Sequence, residues 1–487
     1  MQLILKIAWR NIWRHKGKSL VIGTILFLGA LLMTIGNGII AGMEKGLQDN
    51  IINGFLGDVV IVSDKQKSDN ILFEFYGKAV EPIHNYPDIK KVLDGETFVE
   101  KFLPAGKNMA MGLNEEGDPT WVYLLGVDFT QYEKMFPDNL TLIEGRLFKP
   151  KEKGILVPVF ARNEYYNFTN LWLLPEGGTI IEENLSREAK ENKTDLKTSS
   201  NGVFLGYNNE NSTTDVRVGI KGIIKYRALN TFWGHFMIMD IESYRECMGY
   251  FAASEIMEVL PENKKKLLNL DNDDLDSSFE DEKMFTENMT AAHETETPVI
   301  TKSVVEKPLN LESGTYNLVL LKLNKNVPLD EAVKRLNRLL EENNLHARAI
   351  TWKKASGMIG SLSVLIKGFL FGFVMFLFLV AIMIIVNTLT MAALERTSEI
   401  GMMRAVGAQK NFIRLMFMGE TGILSAFFGG FGIIIGILLV AVLPVFQITT
   451  QNDMLQLLYG GDTLRPFLNT WDILITIIQL ISVSLLA

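Results

Sequence analysis

Apolar residues gather into a few long runs near the two ends of the chain, and a polar–apolar mixture fills the middle. A membrane-spanning helix needs about 20 mostly apolar residues. Runs at 19–43, 367–394 and 415–445 satisfy that rule. Leu20–Gly42 and Gly368–Leu394 carry no charge, and the third run holds one acid, Glu420, near its start. A fourth run, 471–487, is still apolar where the sequence stops at Ala487, short of a full crossing. It predicts a tilted span or a natural chain that continues further.

Between the first and second runs the period shortens. Alternation bounded by turn residues predicts strands at 58–63, 98–103, 121–127, 154–159, 216–226, 235–241, 316–323 and 346–352. Helical spacing predicts Pro87–Leu93 and Asp330–Asn343, the latter with Ala332, Val333, Leu336, Leu339 and Leu340 on one face. The fold class expected is therefore a membrane α-helical protein with four transmembrane helices and a large α+β domain, 44–366. Its first and last strand–helix–strand units predict one lobe, 56–140 plus 311–355, with a strand-rich lobe, 140–310, inserted. Segments 183–214 and 262–300 are rich in acidic and small polar residues and read as disordered or loop-like insertions.

Charge orients these elements. Lys6, Arg10, Arg14, Lys16 and Lys18 precede the first run without any acid among them. Loop 395–414 holds Arg396, Arg404, Lys410 and Arg414, whereas loop 446–470 holds only Arg465. Basic flanks stay in the cytoplasm, so 1–18 and 395–414 are expected inside, and 44–366 and 446–470 outside. The first run is too long for a signal peptide and shows no small-residue cleavage site. Lys6, Arg10 and Arg14 share a helix face beside Trp9 and Trp13, opposite Ile4, Ile7, Ala8 and Ile12. That pattern predicts an interfacial helix touching membrane lipids.

Composition excludes more than it identifies. A net charge of -8 does not suit a nucleic-acid partner. The single Cys, Cys247, allows no internal disulfide. Gly17-Lys18-Ser19 lacks the glycine that a phosphate loop places five residues earlier, where Ile12 stands. The acidic DNDDLD lacks the glycine and distal glutamate of a calcium loop. No catalytic residue, metal or cofactor is expected in this chain.

The most specific stretch is Thr388–Gly436, in which an apolar helix runs into Glu395-Arg396, Glu399-Ile400-Gly401 and Arg404-Ala405-Val406-Gly407-Ala408. Glu395 and Glu399 have the spacing to pair with Arg396 and Arg404 along a short helix. The residues alone leave open a docking knob for a soluble partner and an ordinary connection.

This stretch closely resembles the FtsX/MacB superfamily of ABC transporter permeases, whose loop reads E-R-x-x-E-I-G-x-x-R-A-x-G-A. Ala8-Trp9-Arg10-Asn11-Ile12-Trp13-Arg14, Leu56-Gly57-Asp58-Val59-Val60-Ile61 and Glu144-Gly145-Arg146 resemble other segments of that family. The resemblance implies a MacB-like core in the outer domain. It also implies that Glu395, Arg396, Glu399, Ile400, Gly401, Arg404 and Gly407 form a coupling element. That element would contact a separate ABC ATPase subunit dimer, which binds the ATP. The separate-subunit layout is most similar to the LolC/LolE permeases of lipoprotein release. That implies a second permease subunit, identical or related, and a bacterial inner-membrane location. It further implies a periplasmic lipoprotein carrier and a cargo surface between the first two spans. By position that surface is Ile40, Met43, Leu47 and Ile51 with Phe369, Phe373 and Phe376, the three rings sharing one helix face. An FtsX-like transmitter acting on an extracytoplasmic enzyme and a MacB-like efflux pump are the alternatives.

Overall fold

The computed structural model describes residues 6, 9–10, 12–14, 16–72, 79–114, 116–207, 213–250, 314–324, 327–450, 452, 455–456 and 459–486. The acidic 262–300 segment lies outside them, as do Ile4, Ile7, Ala8 and Asn11 of the N-terminal motif. The chain divides into two compact units, 1–50 with 359–487, and 51–358.

The 51–358 unit contains β1 (Val59–Ser63), β2 (Val99–Leu113), β3 (Pro119–Val127), β4 (Leu140–Gly145), β5 (Ile155–Pro158), β6 (Leu171–Leu173), β7 (Lys197–Ser199), β8 (Asn201–Tyr207), β9 (Thr213–Tyr226), β10 (Phe236–Asp240), β11 (Leu318–Leu323) and β12 (Ala347–Thr351). Ten of them form one sheet, ordered β12-β1-β11-β2-β3-β10-β5-β9-β4, with β8 bonded to both β2 and β9. That double pairing closes β2, β3, β10, β5, β9 and β8 into a ring. Strands predicted for the two lobes thus hydrogen-bond within a single sheet.

Sequence explains the placement. The unbroken Val59–Ser63 run is buried at every position because β1 lies between β11 and β12, antiparallel to both. Helix Ile241–Met248 packs on β2, β3, β8, β9 and β10 and fills the ring. Tyr244 projects from it toward Gly106 and Gly126, where an added Cβ would come within 1.9 and 2.2 Å of the ring. Helices Tyr86–Asp94 and Leu329–Glu342 form within one or two residues of the predicted bounds.

Two expectations need correction. Strand 98–103 extends to Leu113; Pro104, Gly106 and the pair Lys107-Asn108 mask the alternation. Those polar groups are buried but bonded. Asn317 closes both backbone bonds on Lys107 at 2.8 and 2.9 Å, and Asn108 donates to the Tyr250 hydroxyl at 2.9 Å. The 183–214 stretch is not simply a loop, because β7, β8 and helix Arg187–Glu191 lie within it. Leu185 and Ala189 anchor it against Tyr166, Trp172 and Leu174. Leu185, Ala189 and Leu196 are scattered among polar residues and the Val203-Phe204-Leu205 run is short, so neither gives a detectable period.

In the other unit the apolar runs are helical. The first helix is Lys16–Ile51, the second Met358–Glu395, and the fourth Thr470–Leu486. The third comprises Lys410–Leu424, a π turn at Ser425–Gly429, and Gly430–Val442. Among the described residues, Ser19–Leu56 and Lys410–Phe446 are long and apolar enough to cross a membrane; Ile382–Glu395 and Thr470–Ser482 are shorter apolar segments. Ile22, Leu26, Met33, Ile40, Val374 and Leu424 form a buried cluster in this unit. The amide of Asn37 donates to the Thr476 hydroxyl at 3.0 Å, so the polar groups of the first and fourth helices satisfy one another.

Candidate functional site

The second helix ends at Glu395, and a nine-residue helix, Thr397–Ala405, follows at once. Arg396 starts it: its carbonyl accepts the Ile400 N–H at 2.9 Å. Gly407 stops it at φ 99°, a conformation that favours glycine. The Ala408 N–H then bonds the Met403 carbonyl at 2.9 Å, and the third helix begins at Lys410. None of the nine residues is buried, and Val406 just beyond them is 90% exposed. Gly401, Arg404 and Gly407 are exposed, and a Cβ built at Gly401 or Gly407 meets nothing within 4 Å. Among the described residues, this short helix therefore presents an exposed face around Gly401 and Arg404.

Arg396 departs from the expected pattern. Its guanidinium turns inward onto Glu420 of the third helix. One guanidinium nitrogen lies 2.9 and 3.2 Å from the two carboxylate oxygens, and the other lies 3.2 Å from Oε1. Both residues are buried, at 6% and 7% exposure. A local i,i+4 pair between mobile, solvated side chains gains little, whereas the lone acid in an apolar helix demands a partner. Glu420 was visible in the sequence as that isolated acid; its partner, 24 residues away, was not. Glu399 pairs instead with Arg14 at 3.6 Å, so the N-terminal basic helix meets the Thr397–Ala405 helix. Trp9 and Trp13 are exposed on that helix, with ring centroids 6.3 Å apart.

The residues expected to hold cargo fall into two groups. Phe369, Phe373 and Phe376 are 74, 53 and 59% exposed. Ile40, Met43, Leu47 and Ile51 are buried, with Met43 at 1% and Leu47 at 0%, so the first helix offers no open surface there in this conformation. Part of the cause is a glycine ridge, Gly38, Gly42 and Gly46, against which the 459–468 strap lies. A Cβ at Gly42 would sit 2.4 Å from the Arg465 carbonyl oxygen, and one at Gly46 would sit 2.5 Å from that of Gly460. With no Cβ at position 42, the Gly38 carbonyl is open to the Phe467 N–H, which bonds it at 2.9 Å. The four-residue spacing of these glycines was the available signal.

Residues 371–487, which include the second helix from Phe371, the Thr397–Ala405 helix and everything after it, match the family described as FtsX-like permease C-terminal. An uncharacterized ABC transporter permease of Methanocaldococcus jannaschii, MJ1507, is 27% identical over 132 residues, 27% of this chain and 33% of that protein. The ABC transporter permease YtrF of Bacillus subtilis is 51% identical over 55 residues, 11% of this chain and 12% of that protein. The matched segments thus span no more than a third of these relatives' own lengths. The periplasmic region of MacB from Actinobacillus actinomycetemcomitans aligns with 63% of this chain and 94% of its own, at 9% identity and a TM-score of 0.27. Residues 371–487 are thus similar to FtsX-like permeases, and both curated relatives are ABC transporter permeases.

Proposed function

We propose that this chain is the membrane subunit of an ABC transporter, with four spans and the 51–358 unit outside the cytoplasm. A separate ATPase dimer hydrolyses ATP and docks on Thr397–Ala405. The observation that carries this reading is the exposed coupling helix with its open face at Gly401, inside the segment that matches the FtsX-like family. A permease that hydrolyses no ATP must receive force through such a contact. A second permease subunit would complete the pathway.

The cargo we propose is lipid-anchored or amphipathic, with release of a lipoprotein, and its handover to a periplasmic carrier, as the particular form. Three exposed phenylalanines on one face of the second helix offer a broad apolar surface for acyl chains. A photo-crosslinker at Phe373 should capture a lipid-anchored protein from ATP-free membranes. One at Leu47, which is buried, should capture none. Capture of bulk phospholipid alone at Phe373 would count against this cargo, and capture of an extracytoplasmic hydrolase would favour a signalling role.

A further inference from the structure

Arg396 occupies the one residue between the second helix and the coupling helix, and its backbone begins the latter. Its side chain reaches the third helix. There Glu420 is followed by Thr421, whose hydroxyl bonds the Phe417 carbonyl at 3.0 Å, and by Leu424 in the buried cluster of the bundle. The π turn Ser425–Gly429 comes next. A planar guanidinium holding both oxygens of a carboxylate fixes direction as well as distance. The coupling helix buries none of its residues, so this fork is a principal tie between its start and the helix that follows. Burying an ion pair gains little over an apolar pair of the same volume. Position, rather than stability, is what the pair supplies.

We propose that Arg396 and Glu420 are positioning residues that transmit displacement of the coupling helix to the third helix, and that Arg396 does not touch the ATPase. This rests on the docking role assigned above to Thr397–Ala405. When the ATPase dimer moves the coupling helix, the fork makes the third helix follow, and the π turn beyond Glu420 is the place where that helix is least regular. Without the fork the coupling helix moves alone.

The test uses the full permease with its ATPase subunit in nanodiscs. Arg396→Met combined with Glu420→Met removes both charges, keeps the volume and leaves no lone buried charge. The expected result is normal insertion and normal co-purification of the ATPase, with cargo-stimulated hydrolysis reduced about tenfold, inside the usual range of coupling between sites. The exchanged pair, Arg396→Glu with Glu420→Arg, should restore stimulation, which a purely steric role would not allow. Arg396→Lys keeps the charge but loses the fork, and should restore it only in part. Full stimulation in the double methionine variant would overturn the proposal. Loss of ATPase binding in that variant would also overturn it, by making Arg396 a docking residue. If the double variant does not accumulate, the exchanged pair decides: normal binding with restored stimulation supports the proposal, and normal binding without it overturns it. Failure of the docking role itself would be separate, visible as normal coupling when Gly401 is changed.

Discussion

Replacing Arg162 with methionine should destabilise the 51–358 unit by about 3–5 kcal/mol, the range for removing one partner of a buried ion pair. Arg162 is fully buried, with one guanidinium nitrogen 3.0 Å from Glu144 Oε1 and the other 3.2 Å from the Asn184 carbonyl. Its guanidinium lies 4.3 Å above the Trp172 ring. Burial lowers its pKa, and the adjacent Glu144 carboxylate works against that shift. Without Arg162, Glu144 stays buried with only the Asn184 amide, 2.8 Å away, to satisfy it. The contacts join β4, helix Val159–Thr169 and the Glu182–Asn184 turn, so the loss is spread over three elements. Arg146, two residues beyond Glu144, provides the contrast. It bonds Glu152 where both side chains are partly exposed, and Arg146→Ala should cost less than Arg162→Met. Cys247 reports the result, because it is buried and burial pushes its thiol up to about 12. In the full chain it should react with maleimide only on unfolding, at a lower urea midpoint in Arg162→Met. An unchanged midpoint would show that the pair is replaceable.

Gly401→Val should abolish cargo-stimulated ATP hydrolysis while leaving the permease folded and inserted. A valine Cβ at this position meets nothing within 4 Å of its own chain, and valine is no worse than glycine in a helix interior. Any defect therefore arises where a partner approaches the backbone. Glu399→Lys should have the same outcome, but less cleanly. It also sets a lysine against Arg14, with which Glu399 pairs at 3.6 Å. Hydrolysis by the co-purified ATPase subunit in nanodiscs measures both variants. Normal binding with full stimulated hydrolysis in Gly401→Val would remove the coupling role from Thr397–Ala405.

Much of this was legible because single periods dominate long segments. The apolar runs became helices, and β1, β3, β5, β9, β10, β11 and β12 lie close to where alternation placed them. What escaped is polar or short. The far half of β2 hides behind Lys107 and Asn108, whose partners, Asn317 and Tyr250, come from distant strands and loops. Edge strand β4 exposes Leu142 and Ile143, so it lacks the alternation of a half-buried strand. The motif Glu395–Gly407 was readable as a unit, but its internal pairing was not. Arg396 looks inward because an acid lies far along the next helix, and local spacing cannot report that. The cargo residues show a second effect of distant contacts. Ile40, Met43 and Leu47 share a face by spacing, but Ile40 packs into the bundle with Met33 and Val374, and the glycines between them admit the 459–468 strap beside Met43 and Leu47.

The orientation of the coupling helix is the claim on which the account depends most. Single cysteines at Ser200 and Gln409 test it in intact cells with a membrane-impermeant maleimide, since buried Cys247 stays silent. The account predicts that Ser200→Cys reacts at once and that Gln409→Cys, beside the exposed Val406, reacts only after the membrane is opened. Labelling of Gln409→Cys in intact cells would place Thr397–Ala405 outside, beyond the reach of any cytoplasmic ATPase, and would contradict the account.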